Sequence, residues 1–492
     1  MALVTLLSLC ALCTAGLWLV RTLYIGLFSS PLSSIPGPWY SRFTHLVLRF
    51  YTLTGRRIHY VHYLHCRYGG IVRIAPDEVA ISDLDGFAKI HKIGSGFLKS
   101  KFYDTLVGSS GNREPGIFAQ RDPHLHAARR RLFAQAFSNS ALQRNWSSEI
   151  HQKAHTAVAR IKADALAGEA DILKWWTLMA TDVIAHLAFG ESFNMLELGK
   201  QTPYIDAIQS ALLGGVLRSE LPWLYNAGRW LPVKTLETLT TADNVVFEHG
   251  ALAVRNMKDQ NHNSKNLFGQ MVAAAEDPDK DKPVIKDSSV QLEAGNLIVA
   301  GSDTTAVTLT YLVWAVLNDT ALQRDIEEEV AGLSSDIGQE ELKDAPLLNS
   351  VIAEALRLYG AAPGALPRIV PAGGADIGGH FLPQGIVVST QAYTMHRDPS
   401  IFPNPYQFDG RRFLSSELTR SQKTAYSPFG GGSRICIGLH LAWMELRLGA
   451  ALFFRECRGA RISTTMTVEM MDTVNHFLIA PKGHCCNIVL DQ

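Results

Sequence analysis

The sequence predicts a mainly α-helical protein with small β-sheets, preceded by an N-terminal transmembrane helix. Three observations lead to this fold class: an apolar N-terminal stretch, a long middle region with helical periodicity, and short β-like stretches near both ends. Of the 492 residues, 47% are hydrophobic and 19% are charged, which excludes a largely disordered chain. Lys+Arg and Asp+Glu both number 46, so no net charge favours nucleic acid as a partner.

An uncharged stretch at the N-terminus predicts the transmembrane helix. Residues Met1 to Val20 carry no charge, and about 20 apolar residues in a helix can cross the hydrocarbon core of a bilayer. A cleaved signal peptide usually begins with positive charge and has a shorter apolar core. The first positive charges follow the stretch, at Arg21, Arg42, Arg49, Arg56 and Arg57. We therefore expect residues 1–28 to be a signal anchor, with the body of the protein on the cytosolic side.

A proline-rich segment follows the predicted anchor. Residues 29–40 contain Pro31, Pro36 and Pro38, which restrict the backbone and remove amide donors. This segment is therefore expected to be a stiff, extended hinge. Residues 41–492 show neither an internal repeat nor a second composition regime, and we expect them to form one domain.

The rest of the chain is mostly helical in pattern. Long helical segments dominate from about Leu125 to Leu358, and a charged, proline-bearing loop is expected at residues 276–283. The predicted strands are short and lie at residues 71–74, 79–81, 386–390 and 487–490. The first two are expected to pair as a hairpin. Seven cysteines of irregular spacing indicate a reducing compartment with neither a disulfide framework nor a zinc site.

A glycine-rich loop around Cys436 carries the strongest motif. Glycines let a backbone approach a flat cofactor closely, and backbone N–H groups can stabilise a thiolate. Arg434 could pair with a carboxylate of the same cofactor, and a helix predicted from Leu439 would place its positive end near the sulfur. The alternative is a buried structural cysteine in a turn. A phosphate loop and a nucleophile elbow do not match these residues.

The loop resembles the cysteine-ligand segment of the cytochrome P450 family, Phe-x-x-Gly-x-Arg-x-Cys-x-Gly. The match falls at Phe429, Gly432, Arg434, Cys436 and Gly438. The resemblance implies haem b as the cofactor, with the Cys436 thiolate as the axial iron ligand. It also implies that Arg434 contacts a haem propionate, that Phe429 packs beside the sulfur, and that Gly438 belongs to the cofactor site.

A second motif lies in a long apolar segment. Residues 288–291 have the pattern of a capping box, and the segment that follows to about Leu317 is apolar on nearly every face. A helix of ~30 residues spans ~45 Å and must be buried if it is apolar all round. In its middle Gly301 would let a ligand lie against the backbone. A threonine hydroxyl bonded to the i−4 carbonyl would locally open the helix.

Asp303 and Thr304 occupy the middle of this segment. A buried acid is costly unless it is used, although it could instead pair with a distant base in a threonine-rich kink. The stretch resembles the Ala/Gly-Gly-x-Asp/Glu-Thr-Thr signature of the same family. That resemblance implies that Asp303 and Thr304 relay protons during dioxygen activation, which the cysteinate ligand favours.

A third motif is the pair Glu354 and Arg357. At i and i+3 the two side chains share one helical face, where an ordinary surface pair contributes little. Apolar residues on the same face make burial plausible. The pair resembles the family's Glu-x-x-Arg helix, which implies that Arg412 completes a structural network. Gly410 stands where proline is common in the family.

Three further basic residues are candidates for the propionates. Leu125 to Leu132 is a basic helix start, and such a charge run is usually a solvated face. The family often has Trp/His-x-x-x-Arg at this place, so the resemblance implies that His126 and Arg130 bind the propionates. It gives Arg368 the same role.

No dinucleotide-binding glycine fingerprint follows a strand, so the chain should not take hydride from NADPH itself. The resemblance implies NADPH–cytochrome P450 reductase as a separate partner on the same face of the endoplasmic reticulum membrane. It also implies that substrate contacts come from residues 97–118, 204–223, 296–305, 362–366 and 476–478. Many of these residues are apolar, which favours a lipophilic small molecule.

The resemblance implies a haem-thiolate monooxygenase that most often hydroxylates its substrate. Residues 364–368 and 391–399 resemble members from filamentous-fungal secondary metabolism. The alternatives are a desaturase, a ring-coupling enzyme or an isomerase without net oxygen insertion. A haem-binding sensor would belong to another class of protein.

Overall fold

The computed structural model describes residues 2–107, 115–228, 230–259, 266, 267, 269, 287–415 and 417–491. Within these ranges the protein is mainly helical with small β-sheets, as the sequence predicted. The predicted charged loop at residues 276–283 lies outside the described residues, and so do the side-chain bonds of the predicted capping box.

The helices are numbered in chain order. They are α1 (Ala2–Tyr24), α2 (Leu46–Leu53), α3 (Arg57–Tyr68), α4 (Leu84–His91), α5 (Phe102–Leu106), α6 (Pro123–Ala134), α7 (Asn139–Ala167), α8 (Ile172–Phe189), α9 (Met195–Leu198), α10 (Pro203–Glu220), α11 (Pro222–Gly228), α12 (Lys234–Asp259), α13 (Asp287–Leu317), α14 (Thr320–Ala331), α15 (Gln339–Lys343), α16 (Pro346–Tyr359), α17 (Ala392–Met395), α18 (Arg420–Ala425) and α19 (Leu439–Glu456).

In the described ranges the strands are short and form four small sheets. They are β1 (Ile71–Ala75), β2 (Glu78–Ile81), β3 (Leu98–Lys99), β4 (Ala170–Asp171), β5 (Arg368–Ile369), β6 (Ala375–Ile377), β7 (His380–Leu382), β8 (Val387–Thr390), β9 (Arg461–Ile462), β10 (Thr473–His476), β11 (Leu478–Pro481) and β12 (Asn487–Val489). The largest sheet has the order β1-β2-β8-β5-β3, and the others are β4-β12-β9, β6-β7 and β10-β11. The predicted hairpin is confirmed, because Val72 of β1 pairs antiparallel with Ala80 of β2.

The long helix α13 lies at the centre of the main hydrophobic core. It packs most extensively against α8 and also contacts α12, α16 and α19. Its side chains Ile298, Leu309 and Tyr311 are fully buried, as an all-round apolar helix requires. By length and composition Leu292–Leu317 could also cross a membrane, but 67% of this stretch is buried inside the protein, which is the environment of a core helix.

The N-terminal segment is helical from Ala2 to Tyr24, over most of the stretch predicted as an anchor. Several of its apolar side chains, among them Leu9, Leu17 and Val20, are exposed. A short π-helical turn, Ile25–Ser29, ends it.

The expectation of an extended hinge at residues 29–40 is wrong in part. Residues 31–35 form turns, and the side chains of Leu32 and Ile35 are buried against the first sheet. Arg73 of β1 fixes them there, since its Nη1 donates to the Leu32 carbonyl at 2.7 Å and its amide donates to the Pro36 carbonyl at 2.8 Å. The prolines stiffen the segment, but its path follows a tertiary contact that a local pattern does not reveal.

Candidate active site

The site is a cavity of about 370 Å³ beside the middle of α13. Cys436 lies in its wall together with Thr304, so the two strongest sequence motifs meet at one space. Every region predicted to contact substrate contributes to the wall, for example through Phe118, Leu212 and Phe477. Most of the lining is apolar, which favours lipophilic occupants.

The cysteine loop is shaped by backbone contacts. The amide of Cys436 donates to the Phe429 carbonyl at 2.9 Å, which closes the loop. Gly432 has a φ of +63°, and a Cβ at that position would lie 1.9 Å from the His91 carbonyl oxygen, so only glycine fits. Helix α19 begins three residues after the cysteine. These contacts direct the Cys436 side chain into the cavity.

The surroundings of the Cys436 thiol shift its pKa in both directions. Cys436 is exposed to the cavity, although protein atoms surround it. This burial raises the pKa of the Cys436 thiol, while a hydrogen bond from the Gly438 amide and the charge of Arg130 act in the opposite direction. A metal ion bound at the sulfur would favour the thiolate further.

Four residues predicted to contact a cofactor, His126, Arg130, Arg368 and Arg434, line the same cavity as Cys436. Arg130 Nη1 donates to the Ile435 carbonyl at 2.8 Å, next to the cysteine. Arg434 Nη1 donates to the Gln120 carbonyl at 2.7 Å. Burial, and then the charge of Arg434, lowers the pKa of His126 to about 3, so its imidazole is neutral.

Lys99 is a fifth basic residue at this wall and was not predicted. It is buried, its Nζ donates to the Phe118 carbonyl, and it lies 4.2 Å from the centre of the Tyr103 ring. Burial and the charges of Arg368 and Arg434 lower the pKa of Lys99. A single lysine in a two-residue strand gives no local signal that could have identified it.

Among the described residues, the basic side chains at this wall have few acidic neighbours, of which Asp122 acts electrostatically on Arg434. Within the ranges that the structure describes, Lys99, Arg368 and Arg434 form no ion pair with a carboxylate. Buried cations are costly unless an anion compensates them. The wall beside Cys436 is therefore suited to an occupant that carries carboxylates.

On α13, Thr304 bonds as the sequence predicted, but the helix does not open. Its Oγ1 donates to the Ala300 carbonyl at 2.7 Å, and α13 is helical throughout Asp287–Leu317. Close packing against α8 explains the glycine at position 301, because a Cβ there would lie 2.7 Å from Ile184 Cγ1. The sequence did not indicate this contact. Asp303 is half-buried and is not among the residues that line the cavity.

A buried acid on α19 adds to the site. Glu445 lines the cavity and accepts a hydrogen bond from Thr305 Oγ1 at 2.9 Å. Burial raises the pKa of Glu445 to about 8. Its Oε1 has no hydrogen-bond partner in the described part of the chain. The only available signal was an acid within an apolar helix, nine residues after the cysteine.

The structure brings Glu354, Arg357 and Arg412 together. Arg357 Nε donates to Glu354 Oε2 at 2.7 Å and Arg412 Nε to Glu354 Oε1 at 3.1 Å, with the Glu354 and Arg357 side chains fully buried. Arg357 Nη1 also donates to the His396 carbonyl at 2.6 Å. The ring of His396 in turn accepts from the Ser427 amide at 3.0 Å. The network thus supports the start of the cysteine loop.

Close packing explains why a glycine occupies position 410 in this fold. A Cβ at this position would lie 2.6 Å from Leu322 Cδ2 and 2.9 Å from Val351 Cγ2. The segment before Arg412 therefore packs directly on α14 and α16. The departure from the family pattern leaves the contact of Arg412 with Glu354 in place.

The family model for cytochrome P450 matches residues 35–487. The chain is 40% identical over 472 residues to the cytochrome P450 monooxygenase stcB of Emericella nidulans, covering 94% of this chain and 89% of the relative. It is 40% identical to the cytochrome P450 monooxygenase aflV of Aspergillus parasiticus, covering 97% and 96%. It is 32% identical to the methylphloroacetophenone oxidase of Cladonia uncialis, covering 77% and 85%.

Proposed function

The chain belongs to the cytochrome P450 family and is a monooxygenase, and we propose that it hydroxylates a lipophilic intermediate of fungal secondary metabolism. The observation that carries this proposal is the meeting, at one apolar cavity, of Cys436, Thr304 and cations that form no ion pair with a carboxylate among the described residues. The reaction class requires that one atom of dioxygen enters the product and the other leaves as water.

Haem b fits the residues of the cavity. Its iron takes a thiolate ligand, which Cys436 offers, and its propionates would neutralise the buried charges of Lys99, Arg368 and Arg434. Arg130 and the neutral His126 offer further N–H donors. When bound, a haem-thiolate group supplies the activation of dioxygen.

The protein's own residues exclude water and move protons. The apolar wall keeps bulk water from the reacting carbon. The Thr304 hydroxyl donates a hydrogen bond to the Ala300 carbonyl, so its oxygen lone pairs remain available to accept a hydrogen bond in the cavity. Asp303, the residue before Thr304, is the proposed source of the proton that Thr304 passes on.

We propose that electrons come from NADPH–cytochrome P450 reductase in the endoplasmic reticulum membrane. The apolar helix α1, with its exposed side chains, supports residues 1–28 as a single-pass anchor and residues 41–492 as a cytosolic catalytic domain. The anchor would keep both proteins in one plane. Residues 29–40 would connect it to the domain.

A phenolic substrate is one specific class for this cavity. One relative is named an oxidase of methylphloroacetophenone, a phenolic ketone. A small oxygenated aromatic molecule is apolar enough for the wall.

The test is co-expression with a reductase and feeding of fungal extracts, with the products compared by mass spectrometry. Wild type should give a product heavier by one oxygen, Cys436→Ser should not, and Cys66→Ser, at an exposed cysteine, should behave as wild type. A product of unchanged mass, or one lighter by two hydrogens, would instead make the chain an isomerase, a desaturase or a ring-coupling enzyme. Ligand binding without any turnover would favour a haem-binding sensor.

A further inference from the structure

Besides three threonines, two polar side chains, Glu293 and Asn296, lie in the wall that α13 gives to the cavity. Glu293 and Asn296 are three residues apart, so they lie on the same helical face. Glu293 is only 1% exposed. A carboxyl group and an amide in such a wall are costly unless something bonds to them.

One oxygen of Glu293 is held by the protein. Its Oε1 accepts from the Ile117 amide at 2.5 Å and lies 3.8 Å from Arg129 Nη1, and Arg129 also donates to the Pro115 carbonyl. These contacts fix the orientation of the carboxyl group. The other oxygen, Oε2, has no hydrogen-bond partner among the described residues.

The side-chain amide of Asn296 also lacks a partner among the described residues. Its Nδ2 is buried and, within the described part of the chain, has no acceptor. An unpaired acceptor and an unpaired donor thus lie side by side on one turn of α13. A hydroxyl group satisfies both, because it donates its proton to a carboxyl oxygen and accepts from an amide.

Gly116 packs directly beside these two buried atoms. A Cβ at this position would lie 2.7 Å from Asn296 Nδ2 and 3.0 Å from Glu293 Oε2. A methyl group would occupy the volume next to both atoms, so a residue other than glycine would block them. The backbone of Gly116 therefore approaches the pair more closely than a residue with a side chain could.

We propose that Glu293 and Asn296 form a polar subsite that binds a hydroxyl group, alcoholic or phenolic, of the substrate. This inference rests on the proposed function and names a feature of its substrate. Asn296 precedes Thr304 by eight residues, which is about 12 Å along a helix. The bound hydroxyl is therefore expected on the order of 12 Å from the oxidised carbon, at the far end of a molecule two or three rings long.

Such a subsite would determine specificity strongly. Apolar pockets discriminate weakly between similar shapes, whereas a site built to bond a hydroxyl rejects an analogue that lacks it. An ordered water molecule is the competing occupant of the two unpaired atoms. Binding measurements separate these two occupants.

The experiment uses the haem-loaded full-length protein and two probes, 2-hydroxyanthracene and anthracene, titrated by their fluorescence. Wild type should bind the hydroxylated probe roughly tenfold to a hundredfold more tightly. Glu293→Gln, Asn296→Leu and Gly116→Ala should each remove most of this preference while binding anthracene as wild type does. Asn318→Leu is the control, since Asn318 lies exposed just beyond the end of α13.

An equal preference in wild type and in all three cavity variants would overturn the subsite and leave water as the partner of the pair. Oxidation of the two probes with equal kcat/KM would overturn it as well, while the proposed function would stand. A preference that depends on the pair, in a protein that gives no oxidised product with reductase and fungal extracts, would retain the subsite and refute the proposed hydroxylation.

Discussion

Thr305 Oγ1 of α13 donates to Glu445 Oε2 of α19 at 2.9 Å. This bond joins the helix that carries Thr304 to the helix that follows the cysteine loop. Both partners are buried, and the low dielectric strengthens the bond. The two sides of the cavity are therefore linked by one side-chain contact that no sequence motif indicated.

The stability of the protein should depend on pH through Glu445. Burial raises the pKa of Glu445 from 4.5 to about 8, so between these values the folded state holds a proton that the unfolded state releases. The stabilisation is complete below the unfolded pKa and is lost as the pH rises through the folded pKa. Glu445→Gln should lose less stability than wild type between pH ~5 and pH ~8 in thermal unfolding. Glu456→Gln, at the end of the same helix, should keep the wild-type slope, and an equal slope in Glu445→Gln would contradict this role.

Arg412→Met should destabilise the protein by about 3–5 kcal/mol, because it leaves the Glu354 carboxylate buried with one of its partners missing. The measurement is urea unfolding followed by circular dichroism. Arg411→Met removes a neighbouring arginine whose ion pair with Asp325 is partly exposed, and it should cost less than about 1 kcal/mol. Similar losses of unfolding free energy in the two variants would show that the buried network stabilises the protein no more than a partly exposed ion pair does.

Gly410→Ala should cost about 1–3 kcal/mol, since the added methyl group meets Leu322 and Val351 in a packed interface. Gly338→Ala is the matched control, because nothing lies within 4 Å of a Cβ there. The free energies of unfolding of the two variants give the comparison. A neutral Gly410→Ala would mean that this segment can move away from α14 and α16.

Thr304→Ala should still bind haem but should divert reducing equivalents to hydrogen peroxide, because the hydroxyl that passes on protons is removed. NADPH consumption, peroxide and product are measured together with the reductase. Thr310→Ala removes a similar bond to the i−4 carbonyl at a position that does not line the cavity, and it should stay coupled. Unchanged coupling of NADPH to product in Thr304→Ala would contradict the proton-transfer role.

The sequence predicted features that are encoded locally. The cysteine loop and the Glu354–Arg357 pair lie in short stretches, and the apolar pattern of α13 predicted a buried helix. The prediction for residues 31–35 was wrong because a contact with Arg73, far along the chain, determines their path. Lys99, Glu293 and Glu445 were missed for the same reason: none of them belongs to a local motif, and packing by other elements gives each its role.

We propose above all that Cys436 supports the insertion of an oxygen atom from dioxygen. The most direct measurement supplies isotopically heavy dioxygen to the purified protein with reductase, NADPH and the substrate found by feeding, and determines the mass of the product. We expect one heavy oxygen atom in the product that wild type and Cys66→Ser form, and no such product with Cys436→Ser. A product without the heavy atom, or equal labelling with Cys436→Ser, would contradict it.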